Sequence, residues 1–73
     1  MSPHPSAPDP SSASAELSVI ADTLERHRDR IAAVAEPFLG TEREDVVTTV
    51  HEAERQLLVA TRALRRAIKT LER

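Results

Sequence analysis

Glu36-Pro37-Phe38-Leu39-Gly40-Thr41-Glu42-Arg43-Glu44 is the stretch that divides the chain. Pro37 disfavours helical backbone at Glu36 and cannot donate to the preceding turn. Gly40, the only glycine among 73 residues, can take the left-handed conformation that ends a helix. Thr41 and Glu44 stand at the T-x-x-E spacing of a capping box, which predicts that a new helix starts at Glu42. So short a link lays two helices side by side and antiparallel. The spacing therefore predicts an all-α, antiparallel two-helix hairpin: helix 1 over about 14–36, a turn over 37–41 and helix 2 over about 42–71.

Upstream of the turn, Leu17, Leu24, Ile31 and Phe38 recur every seven residues, with Ile20, His27 and Val34 three residues after the first three of them. This is a coiled-coil seam whose one polar member is His27. Asp22, Glu25, Arg26, Arg28, Asp29 and Arg30 then form the polar face. Ser12 or Ser14 can cap the first helical turn. Before them, MSPHPSAPDPSSA holds four of the five prolines, and residues 1–13 read as a disordered or polyproline-like tail.

Downstream, Val50, Leu57, Leu64 and Leu71 recur every seven residues, and Ala53, Ala60 and Ala67 form a second row at the same interval. Val46, Val47, Leu58 and Ile68 widen the apolar stripe beyond what one neighbouring helix covers. A chain this short rarely stabilises a fold with its own core, and the usual remedies are disulfides, a metal or association. With no cysteine, disulfides and thiolate zinc sites are excluded. Association remains, and two hairpins closing a four-helix bundle would cover both stripes. Acids crowd the first half of helix 2 (Glu42, Glu44, Asp45, Glu52, Glu54) and bases the second (Arg55, Arg62, Arg65, Arg66, Lys69, Arg73). Two antiparallel copies set opposite signs together, whereas parallel copies align like signs. The expected partner is a second copy, with a similar helical hairpin as the alternative.

The chain carries little that could perform chemistry, so the reading is a non-enzymatic protein-interaction module without a cofactor. It has no Cys nucleophile, and one glycine can build neither an oxyanion loop nor a phosphate loop. His27, level with His51 and Glu54, suggests a His27–Glu54 hydrogen bond that sets specificity; Glu-x-x-His, the spacing of bundle metal sites, occurs at neither His27 nor His51. Arg62, Arg65, Arg66, Lys69 and Arg73 could track phosphates, which makes nucleic-acid binding a further alternative, though no aromatic accompanies them. Net charge is −2, which favours no polyanionic partner. Apolar runs such as Leu57–Ala60 are far too short to span a membrane. With no secretory signal pattern either, the default compartment is cytoplasmic.

With Phe38-Leu39-Gly40 at the turn between two long helices, the outline resembles the small Trp-x-Gly helical hairpins of type VII secretion, with Phe in place of Trp. The resemblance covers residues 15–72 in architecture. It implies pairing with a client or sister hairpin and leaves export by such a route open. Pro37 before the aromatic and the lack of any Tyr for a C-terminal Tyr-x-x-x-Asp/Glu signal depart from that pattern.

Overall fold

A computed structural model of the chain describes residues 7–73. Two long helices, α1 (Pro10–Ala35) and α2 (Glu44–Leu71), are joined through a single 3₁₀ turn, Glu36–Phe38. They pack against each other along their length, and no strand occurs among the described residues. Ser14 near the start of α1 donates to Glu72 just past the end of α2, at 3.4 Å. Arg65 reaches Asp22 at 2.8 Å. These two contacts fix the antiparallel sense. No described helix is long and apolar enough to cross a membrane.

The helix starts differ from those the sequence suggests. α1 begins at Pro10, ahead of both candidate serine caps. Asp9 is the cap: its Oδ1 accepts from the Ser11 N–H at 3.0 Å, and Pro10 takes the first helical position, where a missing N–H costs nothing. Residues 10–13 of the expected tail are thus helical, while residues 1–6 lie outside the described part. α2 begins at Glu44, two residues later than the capping box predicts. Thr41 is occupied with the turn, its hydroxyl donating to the Phe38 carbonyl at 2.6 Å and accepting from the Arg43 N–H at 3.2 Å. The helix cap, Arg43, makes no side-chain capping bond. Gly40 has φ +73°, the left-handed geometry anticipated for it.

Burial reveals the packing register. On α1 the covered or half-covered row is Ser14, Leu17, Ala21, Leu24, Arg28, Ile31 and Ala35. On α2 it is Val47, Val50, Glu54, Leu57, Thr61, Leu64, Ile68 and Leu71. Both rows alternate three and four residues, as a seam between two helices must. Leu17, Leu24 and Ile31 belong to this seam and equally to the one read from hydrophobicity, so they cannot choose between the two. Small residues decide the matter. Ser14, Ala21 and Ala35 let α2 approach closely, whereas Ile20, His27 and Val34 would hold it away. The seam accordingly runs on the other side of the leucine row. His27 is exposed, and Arg28, assigned to the polar face, lies half-buried in the seam in its place.

The resulting core is thin. Ala21, Ala35 and Val47 are its only fully buried hydrophobic residues among those described, and no large side chain is completely covered. Thr61 is also buried; its hydroxyl satisfies itself on the Leu57 carbonyl at 2.8 Å.

Candidate functional site

Because the hairpin is one helix thick, every row flanking the seam faces solvent on one broad side or the other. The two sides differ in chemistry. On the first, Arg65 donates to both Asp22 (2.8 Å) and Glu25 (3.0 Å). The hydrogen bonds that Arg65 donates to Asp22 and then to Glu25 hold its pKa above the ordinary value. This side also carries Arg55, Arg62 and Lys69, all exposed. It is a wetted, self-paired surface.

The second side carries Ile20, His27 and Val34 from α1, with Val46, Ala53, Ala60 and Ala67 beside them on α2. Ile20 is 40% exposed and Val34 66%. Beyond the alanines run Thr49, Gln56, Ala63 and Thr70, which are exposed and uncharged. Taken together, α2 offers here a stripe spaced four and three residues apart from Thr49 to Thr70 without a single charge. A solvated helix face in a chain that is 30% charged is not expected to read that way.

Placed on this geometry, the residues read from sequence fall into three groups. Leu17, Leu24, Ile31, Val50, Leu57, Leu64, Ile68 and Leu71 meet in the seam within the hairpin. Ile20, Val34, Val46, Ala53, Ala60 and Ala67 lie on the second side, where Val46 and Ala67 are half-buried at its inner edge. Phe38 sits at the closed end, 36% exposed, next to the more exposed Leu39. The stripe residues Thr49, Gln56, Ala63 and Thr70 carry no hydrophobic signal; only the absence of charge at three- and four-residue spacing could have found them.

The His27–Glu54 pair does not form. Glu54 is in the seam and His27 on the second side, where it shares a shallow concavity with Arg30, Ile31 and Val34. Glu54 instead shares one with Arg28, His51, Arg55 and Leu58. There the Arg28 Nη1 and Glu54 Oε1 atoms are both buried without a hydrogen-bond partner. Among the described residues, no three His, Asp or Glu side chains converge as metal ligands would. Of the five bases that could track phosphates, Arg65 is committed to the α1 carboxylates, leaving Arg62, Arg66, Lys69 and Arg73 exposed on two separate rows.

No protein-family model matches this chain. Nor does any curated protein or solved structure match it.

Proposed function

We propose that this protein is a small, non-enzymatic protein-interaction module that docks onto another helical hairpin through the side that carries the charge-free stripe of α2, closing a four-helix bundle. The observation that carries the reading is the pairing of an exposed Ile20–Val34 row with a charge-free stripe on α2, above a core whose buried hydrophobic residues, among those described, are only Ala21, Ala35 and Val47. Covering that side completes the burial that the hairpin leaves half done. The same face would accept a sister hairpin, as the Trp-x-Gly resemblance at Phe38-Leu39-Gly40 implies; the near self-complementarity of α2's charges favours a second copy. A soluble bundle of this kind fits a cytoplasmic protein.

Association stabilises the folded state by mass action, so the unfolding midpoint should rise with protein concentration. Val34→Glu places a charge on the face near the closed end of the hairpin and should abolish that dependence while leaving the helices formed, read by circular dichroism. A wild-type midpoint independent of concentration would remove self-association; a Val34→Glu midpoint that still climbs as steeply as wild type would remove this face.

A further inference from the structure

We infer that two copies pair about a two-fold axis crossing α2 at Ala60 and α1 at His27, with α2 lying antiparallel against α2 of the second copy and α1 against its α1. This rests on the interaction-module reading above and specifies its occupant and register. The first support is α2's outer charged row, which adjoins the uncharged stripe: Asp45, Glu52, Val59, Arg66 and Arg73, each seven residues from the next and all exposed. Reversed end to end about Val59, the row reads base, base, valine, acid, acid. An antiparallel copy centred there sets Glu52 against Arg66 and Asp45 against Arg73, twice each by symmetry. Parallel copies would oppose acid to acid and base to base.

The uncharged stripe centres within a residue of that point. Ala53 meets Ala67 about Ala60, while Gln56 meets Ala63 and Thr49 meets Thr70 about the midpoint of Val59 and Ala60, so each pairing has at least one small side chain. Val59, 54% exposed in the single hairpin, falls beside the axis against its own copy.

The second helix gives an independent check. Counted inwards from Asp22–Arg65, Glu25–Arg65 and Ser14–Glu72, Ala60 lies level with His27, Arg30 and Arg26 respectively. An axis through Ala60, perpendicular to the helices and in the plane between the hairpins, therefore crosses α1 in the turn that holds His27. About His27, Ile20 of one copy meets Val34 of the other, the two large exposed apolar residues on that row. Nothing in the α2 charge pattern requires this match. The side is two helices wide and ~40 Å long at ~1.5 Å per residue, so each copy would lose on the order of 800 Å², a standard specific interface.

Charge reversal at Glu52 and Arg66 tests the register. Glu52→Arg alone and Arg66→Glu alone each turn two attractive contacts into repulsive ones, and each should weaken self-association roughly ten- to hundredfold. Mixed one to one, the two variants should form a heterodimer of near wild-type affinity, and the double variant should pair with itself again. Since the chain has no cysteine, Ala60→Cys should cross-link to itself under mild oxidation. Thr49→Cys should cross-link to Thr70→Cys and not to itself. A wild-type dimer indifferent to both reversals, or cross-linking Thr49→Cys to itself, overturns the register while self-association stands. A monomeric wild type overturns both.

Discussion

Replacing Arg28 and Glu54 together by leucine should stabilise the hairpin. Both occupy the seam, on opposite helices and lining one concavity, yet Arg28 Nη1 and Glu54 Oε1 are each buried with no partner. An unsatisfied buried polar group costs about 1–3 kcal/mol, and exchanging buried charged pairs for apolar residues often gains ~1–4 kcal/mol. Both side chains are only half-buried, so the lower part of that range applies, about 1–2 kcal/mol. For a chain of this size that corresponds to a rise of roughly 5–15 °C in the unfolding midpoint. Glu54→Leu alone should gain less than the double variant, because it leaves Arg28 in the seam without a carboxylate nearby. Urea unfolding followed by circular dichroism, with all variants at one protein concentration, gives the comparison. A double variant less stable than wild type by more than about 1 kcal/mol would show that the two charges are paired in solution and would refute the reasoning from their unpaired burial.

Three other substitutions probe separate parts of the account. Ala21 is fully buried in the seam, so Ala21→Leu should cost about 1–3 kcal/mol by overpacking; an unchanged thermal midpoint would place Ala21 outside the seam. Gly40 has φ +73° with nothing within 4 Å of a would-be Cβ, so Gly40→Ala should cost only the backbone penalty of ~1–2 kcal/mol, read by urea unfolding. A loss of several kcal/mol there would mean that the turn is packed against something. His27→Leu should tighten self-association and His27→Lys weaken it, since like charges would then meet at the axis beside Arg30; equal dissociation constants for the two variants would remove His27 from the interface.

The hairpin was legible because its punctuation is unambiguous. Pro37 and Gly40 admit few alternatives, and Val50, Leu57, Leu64 and Leu71 place α2 correctly in the seam. The packing side of α1 was not legible. Leu17, Leu24 and Ile31 serve two seams equally well, and the residues that decide between them, Ser14, Ala21 and Ala35, act by being small. Hydrophobic pattern rewards large residues and so selected Ile20 and Val34, which the fold leaves exposed. Asp9-Pro10 announces the start of α1 in cap and first-turn chemistry, but four clustered prolines obscured it. Thr41 and Glu44 have capping-box spacing, yet the Thr41 hydroxyl bonds Phe38 and Arg43 in the turn, and spacing alone cannot reveal that competition.

Sedimentation equilibrium across a micromolar concentration series addresses the central claim most directly. The account predicts a mass that climbs from the 8.0 kDa of the single chain to twice that value and stops there, because a two-fold pairing closes on itself. A folded species holding at 8.0 kDa throughout the series would contradict it.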